Sequence, residues 1–466
     1  MAQAARTERI QKFMLNLFDG GDEEAGPSGE LKVVSLLDRG VQEARALDRE
    51  PLVQAELYRT LGGIYQKLGK FDQADAMLRS ALEQRRAMLG ADHGDVARDT
   101  VDVGLLRMSQ AKLEEAEALV REGLEKAKKS LPPGDPVVAE ATLALGRVLD
   151  ARGEYEKAVP VLEAAVRLAE ARGAGTPEMA ESLVALSSAH FYLGHHDLCD
   201  ALNRRALDLH RRLNGEKHPL VAEDFINLGA SQFERGAYLE AEKLYRQALE
   251  INEAFHGVGH YETASTLTML GRALVFQKHY DQAVAALERA LEIQERANGP
   301  VHPRVASALN ELGNVAIARQ RFVEAEARYL RVLDIYKKVY HGRHYLIGLA
   351  TANLASVYMN SKQFTRAEPL FREALQQYAA TLPAAHLNVG IARLKLGRTL
   401  LRQRRYPEAE QQTRAGYEIV SKQSSPSVSW LKAAGKDLVE VYEALHQPEK
   451  AQAFRAPPDA QPARGQ

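Results

Sequence analysis

The segment PRVASALNELGNVAIARQRFVEAEARYLRVL, residues 303–333, contains one complete unit of the pattern that decides the fold. In this unit, Gly313 is followed by Phe322 nine residues later and by Ala325 twelve residues later. Leu333, twenty residues after Gly313, closes the unit. Apolar residues in such a unit step by three and four, which is the period of a helix and not the alternation of a strand. The segment therefore predicts two helices joined by a short turn.

The unit recurs along the chain at an interval of 42 residues, with one residue deleted between Gly146 and Gly229. We call the residue equivalent to Gly313 the register residue of its unit. The register residues are Gly62, Gly104, Gly146, Ser187, Gly229, Gly271, Gly313, Ala355, Gly397 and Val439. A small residue follows each of them after twelve positions: Ala74, Ala116, Ala158, Cys199, Ala241, Ala283, Ala325, Ala367, Ala409 and Ala451. A period of this length predicts a stack of ten helical hairpins.

Turn residues agree with this phase. Seven residues after the register, where a first helix needs a left-handed terminator, stand Gly69, Gly153, Gly194 and Gly236, and later Lys278, Gln320, Lys362 and Arg404. Connectors between hairpins, such as GPVHPRVA at residues 299–306, place proline in the first turn of the next helix. Each hairpin therefore has a predicted start and stop.

The Leu-Gly, Ala and Ala-Leu columns resemble the tetratricopeptide repeat. The period of 42 with Gly-x-x-His-Pro-x-Val-Ala connectors is similar to the repeats of kinesin light chains and their bacterial relatives. This resemblance implies an all-α fold, a right-handed α-solenoid of about ten hairpins with an N-terminal capping helix. We expect residues 1–52 to contain N-terminal helices and the cap, from Glu30 to Leu47, residues 53–454 to form the solenoid, and residues 455–466 to be a disordered tail.

A second resemblance lies in the segment from Arg6 to Leu52, which contains RTERIQKFMLNLF and LLDRGVQEA. It looks like the segment that joins the membrane helix of bacterial serine/threonine kinases to their carboxy-terminal tetratricopeptide arrays. The sequence lacks a glycine-rich phosphate loop, a His-Arg-Asp catalytic loop and an Asp-Phe-Gly motif. The resemblance therefore implies the array of such a kinase without its catalytic domain.

The amino-acid composition argues against some classes of partner and bears on the cellular compartment. A net charge of −1 and a pI near 6.9 argue against a dedicated nucleic-acid binder. One cysteine excludes intramolecular disulfides, and no apolar run approaches the roughly 20 residues that span a bilayer. We expect a chain without membrane insertion, cytoplasmic as written, or extracytoplasmic if it is the detached part of a membrane kinase. Self-association stays open.

A column of histidines occurs at equivalent places in the connectors: His93, His218, His260, His302, His344 and His386. Equivalent atoms of neighbouring hairpins are separated by ~8 to 10 Å or more, whereas zinc ligands lie ~2 Å from the metal. The histidines cannot share one ion, so we predict that they organise turns and cap helices. A pH-dependent surface charge is the alternative.

Two other groups suggest chemistry less strongly. In the fourth hairpin, His195 and Cys199 have a usable metal-ligand spacing beside His190 and His196, but Cys199 occupies the small-residue column, which favours packing over zinc. The ninth hairpin carries a basic run: Arg393, Lys395, Arg398, Arg402, Arg404 and Arg405. These charges point in several directions and favour a solvated surface, unless Lys395 and Arg398 share the inner face and bind an anionic peptide or a phosphate.

In tetratricopeptide arrays the first helices line a concave groove, so contacts are expected three and two residues before the register and one and four residues after it. We call these positions the groove surface. The candidate contacts are Asn227, Asn310, Asn314, Asn353, Arg147, Arg272, Arg398, Phe233 and Met359. Asparagine offers a donor and an acceptor to a peptide backbone. The alternative is that the asparagines bond between helices and the arginines pair with glutamates such as Glu181 and Glu223.

No set of acid, base and nucleophile rises above the repeat pattern, so we expect no enzyme activity, no cofactor and no bound metal. The leading hypothesis is a non-enzymatic scaffold that binds a peptide or partner protein in the groove, as a sensor or docking module of a bacterial serine/threonine kinase signalling system. The first alternative is a receptor for a signalling peptide or small ligand that changes superhelical shape on binding. A metal-responsive or enzymatic protein centred on the fourth hairpin is the second.

Overall fold

A computed structural model describes residues 33–173, 175–423 and 428–455. These residues contain α-helices and no strand. The helices are α1 (Val33–Arg45), α2 (Pro51–Lys67), α3 (Phe71–Leu89), α4 (Gly94–Ser109), α5 (Leu113–Ser130), α6 (Pro136–Ala151), α7 (Tyr155–Arg172), α8 (Pro177–Tyr192), α9 (His196–Asn214), α10 (Pro219–Glu234), α11 (Tyr238–His256), α12 (Tyr261–Phe276), α13 (Tyr280–Asn298), α14 (Pro303–Ala318), α15 (Phe322–Tyr340), α16 (Tyr345–Asn360), α17 (Phe364–Ala379), α18 (Leu387–Arg402), α19 (Tyr406–Ser421), α20 (Val428–Ala444) and α21 (Pro448–Arg455). The all-α class predicted from the periodicity is confirmed.

From α2 onward, each even-numbered helix contacts the helix that follows it and forms a hairpin, and in the fourth hairpin the contact between α8 and α9 includes Ser187 and Cys199. We call the even-numbered members first helices and the odd-numbered members second helices. The small residue twelve positions after each register residue is buried in every hairpin, with at most 1% exposure. Small side chains at this position allow the two helices to approach closely. The ten predicted hairpins are therefore present.

The helices form two compact units, and the boundary between Leu209 and His210 falls inside α9. In the first unit, α1 packs Leu37, Val41 and Ala44 into a core shared with α2 to α4. This helix lies where the capping helix was expected, although residues 30–32 and the rest of the N-terminal segment are outside the described residues. In the second unit, one apolar core extends from Phe233 to Val441. The expected tail from residue 456 onward is also outside the described residues.

The register glycines permit close contact between the two helices of a hairpin. A Cβ atom on Gly229 would lie 2.6 Å from the ring of Tyr245, and one on Gly313 would lie 2.7 Å from the ring of Tyr329. Both tyrosines lie sixteen residues after the glycine, on the second helix of the same hairpin. Real atoms do not approach to this distance, so the glycine makes room for the buried side chain of its partner helix.

The predicted terminators of the first helices have left-handed backbone conformations. Glycine occupies this position in some hairpins, for example Gly69 with a φ of 71° and Gly236 with a φ of 78°. Lys278, Gln320, Lys362 and Arg404 adopt φ values of 64°, 60°, 62° and 61° at the same position. The deleted residue belongs to a connector, because α7 ends at Arg172 and Thr176 already caps α8.

The histidine column caps first helices. The side chain of each histidine accepts a hydrogen bond from the backbone N–H two residues later, as His302 Nδ1 does from Arg304 at 3.2 Å. The same contact is made by His93, His218, His260, His344 and His386. Asp135 and Thr176 cap α6 and α8, two of the first helices that have no histidine there. The predicted capping role is confirmed, and it requires an unprotonated Nδ1 atom.

Consecutive hairpins also contact each other through a buried pair of residues. The first member stands on a second helix 23 residues after its register residue, and the second member stands five residues before the next register residue. We call these two places the pairing position. Three of the pairs are hydrogen-bonded: Arg85 with Asp99 at 2.5 Å, His210 with Asp224 at 2.6 Å and Asn252 with Thr266 at 3.0 Å. Buried polar groups of this kind stabilise a fold only when they have partners.

Candidate functional site

The groove surface consists of neighbouring first helices whose side chains contact each other. Hydrogen bonds join groove positions in consecutive hairpins: Arg59 to Asp102 at 2.6 Å, Asn353 to Asn310 at 2.8 Å, Lys395 to Ser356 at 2.9 Å and Arg398 to Asp437 at 2.8 Å. These contacts place the positions side by side within each unit. Each unit therefore has a continuous surface built from its first helices.

In the second unit, the candidate asparagines are partly engaged with each other. Asn353 donates its amide to Asn310, but the carbonyl oxygen of the Asn353 side chain has no partner within the described part of the chain. Asn314 instead accepts a hydrogen bond at 2.6 Å from the hydroxyl of Tyr329, whose side chain is fully buried. Asn227 is half-buried, and no described residue bonds to its side chain. Asn353 and Asn227 can therefore accept or donate further hydrogen bonds, whereas Asn314 supports the hairpin.

An apolar strip follows the fourth position after the register in the same unit. Val275, Ile317 and Met359 are half-buried there and pack on the core. Phe233 occupies the same position but is buried, because the Arg272 guanidinium lies 4.4 Å from the centre of its ring and the rings of Tyr238 and Phe276 also pack against it. The apolar surface available to a ligand therefore comes mainly from the three aliphatic and thioether side chains.

The basic run of the ninth hairpin divides between the groove and other surfaces. Lys395 and Arg398 both lie on the groove surface, and the Lys395 ammonium is 5.7 Å from the ring of Trp430. Burial and the nearby Arg398 lower the pKa of Lys395 to about 8. Arg402 stands outside the groove positions and bonds to Glu440, a groove position of α20, whereas Arg405 bonds to Glu368 on α17. The predicted spread of directions is confirmed, and the groove keeps two of the charges.

In the first unit, Arg147 lines a cavity of about 160 Å³ that opens on the groove surface. The cavity is also lined by five other groove positions: Val101, Asp102, Leu105, Leu143 and Ala144. The charged side chains of Arg98, Glu140, Glu178 and Glu181 complete its rim. These rim residues are not among the ligand contacts predicted from the sequence. Arg98, Glu140 and Glu181 stand six residues before the register, one helical turn before a groove position, so extending the groove by one turn would have found them.

In the fourth hairpin, two of the histidines contact each other and the cysteine packs against a serine. His190 Nδ1 lies 3.1 Å from His195 Nδ1, and burial together with His195 lowers the pKa of His190. Cys199 is buried inside the hairpin, with its sulfur 3.2 Å from Ser187 Oγ. The described residues contain no cluster of three or more side chains that could hold a metal ion. Cys199 therefore has the packing role that its column predicts.

Comparisons with known proteins agree with this architecture. The tetratricopeptide repeat profile matches residues 53–129, 100–171, 178–254, 225–296, 262–338 and 346–422. No curated protein matches the chain in sequence. No helix among the described residues has the length and apolar character that crossing a membrane requires.

Several solved structures are similar. The apo form of RapI is 15% identical, with a TM-score of 0.56, and the match covers 79% of this chain and 98% of RapI. A Rap protein complexed with competence and sporulation factor is 14% identical, with a TM-score of 0.52 and coverages of 78% and 96%. A putative kinesin light chain of Podosopora anserina is 20% identical, with a TM-score of 0.40 and coverages of 44% and 98%. Given the profile matches over most of its length, the chain belongs to the tetratricopeptide repeat family.

Proposed function

We propose that this chain is a non-enzymatic scaffold that binds an extended peptide segment of a partner protein along its groove surface. The proposal rests mainly on the strip of Val275, Ile317 and Met359, which keeps apolar side chains partly exposed on the same groove surface as the Asn353 carbonyl oxygen, an acceptor without a partner among the described residues. Apolar lining with a few convergent polar groups is typical of binding sites. Apolar side chains of the ligand would be buried against the strip, and a hydrogen bond to the Asn353 amide would orient the ligand backbone.

The two kinds of group recognise different parts of a peptide. The Asn353 oxygen accepts a hydrogen bond from a backbone N–H, which every residue except proline offers. The apolar strip instead distinguishes side chains by size, because burial of an aliphatic side chain is worth about 1.5 to 3 kcal/mol. The apolar residues of the ligand should therefore determine which partner is preferred, and Asn353 should determine how the ligand backbone lies on the groove surface.

A display library of peptides selected against the full chain tests this proposal. Enriched peptides should bind Asn353→Ala about 3- to 10-fold more weakly, which corresponds to one hydrogen bond of about 0.5 to 1.5 kcal/mol. Met359→Ala should also weaken binding, because it removes apolar surface that contacts the peptide. Replacing Asn314 is less informative, since it would leave the buried hydroxyl of Tyr329 without its acceptor.

The matched control is Gln376→Ala, an exposed side chain on a second helix. This variant should bind the enriched peptides as the unmodified chain does. Failure to enrich any peptide, or equal binding by Asn353→Ala, Met359→Ala and the control, would reject the groove as the binding surface.

The cellular role that we propose is that of a sensor or docking module in a bacterial serine/threonine kinase signalling system. It is supported by the sequence from Arg6 to Leu52 and would be tested by capturing such a kinase with the full chain. The alternative is a signalling-peptide receptor, for which the Rap protein complexed with competence and sporulation factor is the precedent. Small-angle scattering with and without an enriched peptide separates the two, because a receptor of this type changes its radius of gyration on binding.

A further inference from the structure

The cavity of the first unit exists because its pairing positions carry small side chains. Ala141, Ala169 and Ser182 occupy these positions beside the cavity, and all three line it. The equivalent of Ala169 is large in six other hairpins, which carry Arg85, His210, Asn252, Gln294, Tyr336 and Tyr378, and it is Ala127 in the second hairpin and Val420 in the ninth. The missing side chain leaves about 160 Å³ beneath the groove surface. A dry aliphatic cavity of about 150 Å³ can hold a benzene ring, so this one has room for a leucine or phenylalanine side chain.

The rim of the cavity is unequally charged. Asp102, Glu140, Glu178 and Glu181 contribute four carboxylates, whereas Arg98 and Arg147 contribute two guanidiniums. Asp102 pairs with Arg59 at 2.6 Å, and the nearest approach of Arg98 to Glu140 is 3.8 Å. Within the described residues, Glu178, Glu181 and Arg147 make no ion pair. The rim therefore has negative charge that its own cations do not neutralise at contact distance.

Some polar groups of the rim have incomplete partners within the chain. Burial raises the pKa of Asp102 and of Glu140, although neighbouring arginines oppose the rise, so both carboxylates are incompletely stabilised in their charged form. The Nε atom of Arg98 is buried and has no hydrogen-bond acceptor among the described residues. A cation would stabilise the carboxylates, and a peptide carbonyl would satisfy the Arg98 donor.

We propose that this cavity is a specificity subsite for a peptide segment in which an apolar side chain of leucine or phenylalanine size is followed by lysine or arginine. The apolar side chain enters the space beneath Ala144 and Ala169, and the cation pairs with Glu178 and Glu181. This inference rests on the proposed function, because it assumes a peptide on the groove surface. It adds the chemical class of one ligand segment, which the groove of the second unit does not define.

The test uses fluorescein-labelled peptides GGLRGG, GGLEGG and GGGRGG with the full chain, and measures binding by fluorescence polarisation. GGLRGG should bind at least about 10-fold more tightly than GGLEGG, because the glutamate would face Glu178 and Glu181, the two rim carboxylates that make no ion pair among the described residues. It should also bind more tightly than GGGRGG by about 10-fold, as burial of one leucine side chain predicts. Equal binding of all three peptides would overturn the proposal.

Two variants probe the two halves of the subsite. Ala169→Leu fills the cavity and should weaken GGLRGG binding about 10-fold. The double variant Glu178→Gln/Glu181→Gln should weaken GGLRGG binding by a similar factor and should make the binding less dependent on salt concentration. The matched control is Glu156→Gln, an exposed carboxylate on α7 away from the cavity, which should bind normally. Circular dichroism checks that Ala169→Leu folds, and the glutamine variant decides the matter if it does not.

The outcomes separate this inference from the proposed function. If display-selected peptides depend on Asn353 but GGLRGG binding is unaffected by both cavity variants, only the subsite is rejected. If no peptide binds the chain at all, the scaffold function fails as well.

Discussion

Arg85 and Asp99 form an ion pair in which both side chains are almost completely buried, with Arg85 Nη1 2.5 Å from Asp99 Oδ1. Glu56 also bonds to the Arg85 guanidinium. Removing Arg85 leaves the Asp99 carboxylate buried with only the more distant guanidinium of Arg59, 3.9 Å away, as a partner. We therefore expect Arg85→Ala to lower the free energy of opening of α2 to α4 by about 3 to 5 kcal/mol, measured by native-state hydrogen exchange.

The double variant Arg85→Ala/Asp99→Ala is the control for that prediction. It recreates the pair that the chain already has between the second and third hairpins, Ala127 and Ala141. The double variant should recover a large part of the loss, because no buried charge remains unpaired. A double variant less stable than Arg85→Ala would show that packing volume, and not charge, dominates here.

Adjacent glycines of α2 should respond to alanine with opposite signs. A Cβ on Gly62 would lie 2.8 Å from Leu78 Cγ, whereas a Cβ on Gly63 meets nothing within 4 Å. Gly62→Ala should destabilise by about 1 to 3 kcal/mol through overpacking. Gly63→Ala should stabilise by about 0.5 to 1 kcal/mol, because alanine restricts the unfolded chain and favours the helix. Urea unfolding followed by circular dichroism measures both, and a shared sign would contradict the close-contact role of the register.

The capping histidines should make stability depend on pH. Burial lowers the pKa of His302, His344 and His386, with Arg304 adding to the effect at His302. The unfolded chain therefore binds protons at a higher pH than the folded chain. Their stabilisation is complete above about pH 6.5 and is lost as the pH falls through the lower pKa of the folded state. We expect the midpoint of thermal unfolding to fall between about pH 7.5 and about pH 5.

Asparagine at the three positions isolates this effect, because its side chain can cap a helix without titrating. The variant His302→Asn/His344→Asn/His386→Asn should show a shallower decline of the unfolding midpoint over the same range. Parallel curves for the variant and the unmodified chain would mean that other groups, such as buried carboxylates, set the pH dependence.

Lys395 should be more reactive than other lysines at mildly alkaline pH. Because its pKa is about 8, about half of the Lys395 side chains are neutral amines at pH 8. For an ordinary lysine, the neutral fraction at this pH is well under one hundredth. We expect cyanate to carbamylate Lys395 about 10- to 100-fold faster than exposed Lys432, as followed by peptide mass mapping. Arg398→Gln removes a nearby charge and should slow the reaction. Labelling of Lys395 at the rate of Lys432 would refute the environment described for the groove.

The hairpins could be predicted closely from the sequence because their signals are local. Second helices begin at the bulky residue nine positions after the register, as Phe322 and Tyr280 do. Left-handed terminators were predicted at positions without glycine, such as Lys278, because the columns of other hairpins defined the turn. Repetition gives ten independent samples of one pattern, which removes most of the ambiguity of a single segment.

The contents of the groove were harder to predict, since they depend on side chains from different helices. Arg272 covers Phe233, and Asn314 holds the hydroxyl of Tyr329, and neither contact follows from spacing alone. The cavity has an even weaker signal, because it arises from what Ala169 lacks. It becomes visible in the sequence only when that alanine is compared with its counterparts in other hairpins.

The pairing position has a consequence for the assembly of the array. A chain of ten near-equivalent units risks joining in the wrong order, or exchanging a unit with another copy. A skipped hairpin would set Arg85 against Ala141, so its guanidinium would lose Asp99 and keep only Glu56 of its own hairpin, and it would set His210 against Thr266 in place of Asp224. Each polar pair therefore favours one particular hairpin as the neighbour of another. Hairpins of this protein should not tolerate a change of order, even though their backbones are similar.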